Sequence, residues 1–209
     1  MAEYTLRNVK GSELTFTEVD NNFIASRSGN ELAGCSIIAP ISGVWFNQAF
    51  TGENMTAVSV TANTIKLSPL LLGWDTTIDQ VGFWQTSSGS QSMRILIYSS
   101  DANGLPETRL NETTTISTSG AGQYTENISQ IFNANVRYWV GTHSGGTETF
   151  RGLGDTNLKP LGIGTGLNTT AISDHINASV AFGSAPATWT FAASQLGTGG
   201  VVSIGFRPA

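Results

Sequence analysis

Cysteine is almost missing: Cys35 is the single one in 209 residues, so the chain can close no internal disulfide and build no cysteine cage for a metal. Histidine is nearly as scarce, with only His143 and His175. A zinc site needs three or four nitrogen, sulfur or carboxylate ligands, and neither histidine has a second at useful spacing. Asp174 precedes His175 and could orient it, but no serine sits in the Gly-x-Ser-x-Gly elbow of a hydrolase. Charge is thin as well, at 12% of residues with a net −5. No cluster of Lys and Arg exists, which argues against nucleic acid held through its phosphates. No apolar run approaches the ~18 residues of a membrane helix, so membrane insertion is not expected. The opening Met1-Ala2-Glu3-Tyr4 lacks the basic and apolar regions of a signal peptide. The expectation is synthesis in a cytoplasm without secretion.

Catalytic patterns are equally wanting. Glycoside cleavage needs two carboxylates facing each other across ~5–10 Å, and the scattered Asp75, Asp79, Asp101, Glu107, Glu112, Glu126, Glu148, Asp155 and Asp174 form no acid/base motif. Gly162-Ile163-Gly164-Thr165-Gly166 lacks the lysine of a phosphate cradle and lies among loop residues. Asp101-Ala102-Asn103-Gly104 has a hint of a calcium loop, but position 5 is Leu105 and both flanks read as strands. A turn with Asn and Gly supplying positive φ is the plainer reading. No enzyme, cofactor or metal is expected.

What is present is the vocabulary of turns and strands: 24 glycines and heavy use of Ser, Thr and Asn. Candidate strands are Val44–Phe50, Thr56–Val60, Thr64–Pro69, Ile78–Thr86, Met93–Ser99, Thr113–Ser117, Gln123–Ile131, Val136–Thr142, Ala178–Phe182, Thr188–Ala192 and Val201–Phe206. Met93, Ile95 and Ile97 alternate with Arg94, Leu96 and Tyr98, and Val136, Tyr138 and Val140 alternate with Arg137 and Trp139. Many short strands with almost no helical period predict a mainly β, antiparallel, jelly-roll-like β-sandwich over residues 42–209. Ahead of it stand an attachment segment, 1–30, and a linker, 31–41, ending beside Pro40.

Within the attachment segment Tyr4 and Leu6 alternate with polar neighbours, a short strand pattern, and a short helix follows. Thr15 is its N-cap and Glu18 completes a capping box, while Leu14 and Val19 stand where a hydrophobic staple forms. Val19 and Phe23 are i,i+4 neighbours and give one narrow apolar stripe. Three turns are marginal alone in water, so the stripe needs something to lie on. Leu14, Phe16, Val19, Phe23 and Ile24 are the candidate interface.

The same stretch resembles one that recurs near the start of tailed-bacteriophage fibre and other virion proteins, Gly-Ser-x-Leu-Thr-x-x-Glu-(Val/Leu/Met)-Asp-x-Asn-Phe. Gly11, Ser12, Leu14, Thr15, Glu18, Val19, Asp20, Asn22 and Phe23 match it. A second likeness spans about Ala62 to His143. There Ile97-Tyr98-Ser99-Ser100-Asp101-Ala102-Asn103-Gly104-Leu105-Pro106 and the later Tyr138-Trp139-Val140 look like the jelly-roll domains of phage tail and fibre proteins, although Glu107 stands where that turn usually has a second glycine. The resemblance implies a virion structural protein: a tail fibre, a fibre-like tail or baseplate component, or a capsid decoration. It implies docking on other virion proteins through the first segment, and a homotrimer.

Five tryptophans remain. Trp45, Trp84 and Trp139 fall within predicted strands and read as core, given the area an indole buries. Trp74 and Trp189 fall near turns, where an exposed indole beside carboxylate or amide groups makes a sugar-stacking platform. They are the candidate contacts to a host surface glycan, in the alternative reading of the chain as a carbohydrate-binding module.

Overall fold

The computed structural model describes residues 39–47, 55–154 and 175–209. The expected N-terminal strand and helix, with Leu14, Phe16, Val19, Phe23 and Ile24, lie outside the described residues. The chain forms β1 (Phe46–Asn47), β2 (Thr56–Ser59), β3 (Thr64–Leu71), β4 (Thr76–Gln85), β5 (Gln91–Ser100), β6 (Pro106–Glu112) and β7 (Ile116–Thr118). There follow β8 (Gly122–Phe132), β9 (Arg137–Ser144), β10 (Thr149–Leu153), β11 (His175–Ser179), β12 (Leu196–Gly197), β13 (Val201–Val202) and β14 (Gly205–Pro208). A 3-10 turn, Ala193–Gln195, precedes β12.

Every pairing is antiparallel, and the strands make two sheets. In the first, β1, β14, β4 and β8 lie side by side, and β10 joins β4, β13 and β2. In the second the order is β12-β11-β3-β9-β5-β6, with β7 on the same edge of β5 as β6. The two sheets enclose a common core and make the expected β-sandwich. Two-residue periodicity dictates who enters it. Met93, Ile95 and Ile97 of β5, Tyr138 and Val140 of β9, Val81 and Phe83 of β4 and Phe206 of β14 all point inward. Phe83, Phe132, Phe150 and Phe206 are held by edge-on ring contacts of 5.4–5.8 Å.

The second sheet is buried on its other face too. Ile65, Leu67, Leu96, Tyr98, Trp139 and Ile176 form a second cluster, roofed by Ala185 and Trp189 from the segment between β11 and the 3-10 turn. That double burial is why β5 reads as a nearly unbroken apolar run. The strap is tied down by polar groups. Tyr98 donates its hydroxyl to the Pro186 carbonyl at 2.7 Å, and burial pushes its pKa up to about 12. Trp189 N–H donates to Glu107 C=O at 2.6 Å, and Arg109 N–H to Ala187 C=O at 2.9 Å. Glu112 pairs with Arg94 at 3.1 Å and Arg109 at 2.5 Å, and accepts the Ala185 N–H at 3.0 Å. Arg109 also donates to the Ala185 carbonyl.

Several sequence-based expectations need correction. Thr188–Ala192 is no strand: apart from a single bridge from Thr188 to Thr108 it belongs to the strap. β6 and β10 are real strands that the apolar pattern did not mark. Val136 stands outside β9 and is exposed. Trp84, expected in the core, is 48% exposed. Its strand does enter the core, but through Val81 and Phe83, which puts Trp84 on the opposite face.

Candidate functional site

The outer face of the first sheet carries no covering strap among the described residues, and a cleft of about 620 Å³ opens there. Its floor is glycine. Gly82 of β4 and Gly205 of β14 are directly paired across the strands. A side chain is barred at Gly82, where a Cβ would lie 2.7 Å from the Tyr124 carbonyl oxygen, and crowded at Gly205, where one would lie 3.1 Å from Cε3 of Trp45. The Trp45 indole therefore packs against the bare backbone of β14. Asn47, which pairs with Gly205, places its amide over the same spot.

Two residues beyond Gly82 the same face of β4 presents Trp84, whose cross-strand partner is Gln123 of β8. Arg151 of β10 and Met55 line another wall, with Arg151 donating to the Met55 carbonyl at 3.3 Å. Ser203 lines the cleft as well, between Val202 and Ile204, which point into the core. Its hydroxyl is buried and has no hydrogen-bond partner among the described residues. The indole N–H groups separate the tryptophans further. Trp139 donates to Gly104 C=O at 3.0 Å and Trp189 to Gln195 Oε1 at 3.2 Å. Trp45 and Trp84 donate to no acceptor among the described residues. Among the described residues Arg151 is the one ionisable side chain lining the cleft, and no described carboxylate lies within ion-pair distance of it.

Below the cleft the same face carries Arg207 of β14, which holds Asp79 in a two-pronged pair, both bonds 2.9 Å. That pairing keeps the Asp79 carboxyl below the usual range and raises Arg207. Gln80 and Asn127 bond each other at 2.9 Å alongside.

The tryptophans picked from sequence as sugar contacts stand elsewhere. Trp189 is 6% exposed and edge-on to Tyr98 at 5.6 Å, so neither ring face is open to a ligand. The residue that looked like a rim group is the plug of the second cluster. Trp74 is half-buried in the β3–β4 turn, where its carbonyl accepts the Thr76 hydroxyl, and it does not line the cleft. The structure thus brings together Trp45 and Trp84, which sequence reasoning had placed in the core. The parity of β4 was a usable signal, because Phe83 and Trp84 must face opposite ways. Nothing in the sequence marked the pairing of Gly82 with Gly205.

The other motifs are structural in form. Asp101 Oδ1 accepts the N–H groups of Asn103 and Leu105, both at 2.8 Å, and Gly104 has φ 80°, so the carboxylate caps its own turn. His143 is fully buried in the second sheet with Nε2 3.0 Å from the Val180 carbonyl oxygen, and its ring lies 5.1 Å from that of Phe182. His175 is fully buried in β11. Among the described residues no three His, Cys, Asp or Glu side chains are grouped to hold a metal ion, and no helix is long and apolar enough to cross a membrane. No protein-family model matches the chain, and no curated protein matches it.

Proposed function

We propose that this chain is a structural, adhesive component of a tailed-bacteriophage particle, a fibre or fibre-like tail or baseplate protein. The first thirty residues attach it to neighbouring virion proteins, in a trimeric assembly. The sandwich behind them is what the particle presents to its host. The observation that carries the reading is the Gly11–Phe23 sequence, where nine specified positions of a virion-protein pattern coincide with the residue pattern of a capped helix. A helix of that length needs a surface for its stripe, and a neighbouring subunit supplies one. The sandwich suits presentation, with one sheet face roofed by its own chain and the other offering a cleft of binding rather than catalytic character.

The test is made on purified particles from a host that produces this chain. The chain is expected to band with the particles through a density gradient, and antibody raised against the sandwich is expected to slow adsorption to cells. A chain left entirely in the soluble lysate, with none on the particles, would overturn the proposal.

A further inference from the structure

Among the described residues the outer face of the first sheet is unroofed and carries two partly open indoles whose N–H groups have no acceptor. An N–H left without an acceptor forgoes a bond it could make. Exposed aromatic area is likewise kept off most soluble surfaces. The geometry points to a ligand with flat apolar faces and polar edges. A pyranose has both: its ring C–H groups stack on an aromatic face, and its hydroxyls reach amide and indole N–H groups at the rim. At Gly205 the space a side chain would take is filled by the Trp45 indole and the Asn47 amide, so the surface a ring meets there is the indole itself.

Charge narrows the class. Among the described residues Arg151 is the ionisable group at the cleft and no carboxylate lines it, in a chain of net −5. A guanidinium matches a carboxylate in shape and charge. We propose that the Trp45–Trp84 cleft binds a short stretch of an acidic glycan, with pyranose rings on the indoles and a sugar carboxylate on Arg151. Asn47 and Gln123 meet the hydroxyls. A bare apolar peptide would leave these polar groups unpaired, and a nucleic-acid strand would need several cations where the described lining has one.

This deepens the host-adsorption reading and supplies its ligand, but it is tested on the isolated full chain. A failure here leaves attachment to the particle untouched, and a chain absent from particles leaves sugar binding untouched. The probes are oligomers of galacturonic acid, of guluronic and mannuronic acid, hyaluronan fragments and sialyllactose, with methyl-esterified galacturonic oligomers and cello-oligosaccharides as uncharged controls. Binding is followed by tryptophan fluorescence and calorimetry. Saturable binding to at least one acidic probe is expected, stronger than to its uncharged counterpart and weakened by salt. Trp84→Ala should lose at least about tenfold in affinity, while Trp74→Ala keeps it. Arg151→Gln should abolish the preference for acid over ester without abolishing binding of the ester. Trp84 and Arg151 are exposed, so circular dichroism of these variants should match the parent. No saturable binding to any acidic probe, equal binding of acid and ester, or full affinity in folded Trp84→Ala overturns the proposal.

Discussion

Glu112 is the side chain through which the strap is fastened to the second sheet. Burial alone would push its carboxyl up. The Ala185 N–H, Arg94, Arg109 and the Ser184 hydroxyl outweigh that and hold it below the ordinary value of 4.5. A carboxylate whose folded pKa is depressed contributes stability that is fully present above its unfolded pKa and is lost as pH falls through the folded one. The strap's fastening is therefore complete at neutral pH and lets go below about pH 4.5. Glu112→Gln keeps the shape, removes the charge and leaves two guanidinium groups short of a partner. It is expected to cost about 2 kcal/mol at pH 7 and to flatten the acid limb of the stability profile. Thermal unfolding of parent and variant from pH 7 to pH 3 checks this. Superimposable acid limbs would mean that Glu112 does not fasten the strap. The Asp79–Arg207 pair, open to solvent, is of the kind that contributes little.

At the scale of elements, the second sheet needs the strap, and among the described residues the first sheet has none. Trp189 is the strap's anchor, with its ring against Tyr98 and its two N–H groups bonded to Glu107 and Gln195. Trp189→Ala opens a cavity and orphans those partners, and should cost ~3–5 kcal/mol. Trp84→Ala, on an open face, should stay within about 0.5 kcal/mol of the parent. Denaturant titration separates the two, and equal losses would contradict the assignment of one sheet face as covered and the other as open. The sequence pattern pointed the other way for both tryptophans. Flanking residues were the guide, and for Trp189 the deciding contact comes from Tyr98, 91 positions away in sequence. Alternation was legible where a strand has one wet face or two oily ones, as in β5 and β9. It failed where polar residues make an edge strand, as in Pro106–Glu112, or where a strand is short and carries a glycine, as in Thr149–Leu153. The strap misled for the same reason: Thr188–Ala192 buries alternate side chains without a ladder to pair with. The cleft was illegible because it is made by register, in the pairing of Asn47 with Gly205 and of Gly205 with Gly82.

Among the described residues the sandwich is asymmetric, roofed by its own chain over the second sheet and bearing a cleft on the first. The chain enters it at Ala39–Asn47, where Gly43 N–H donates to Pro208 C=O at 3.0 Å and β1 pairs with β14. Residues 39–47 therefore lead into the same sheet that bears the cleft. The most direct measurement is chemical cross-linking with mass spectrometry on intact purified particles, read at Lys10, inside the attachment segment. The account predicts links from Lys10 to a second virion protein or to another copy of this chain. Links from Lys10 to this chain's own sandwich alone would contradict it.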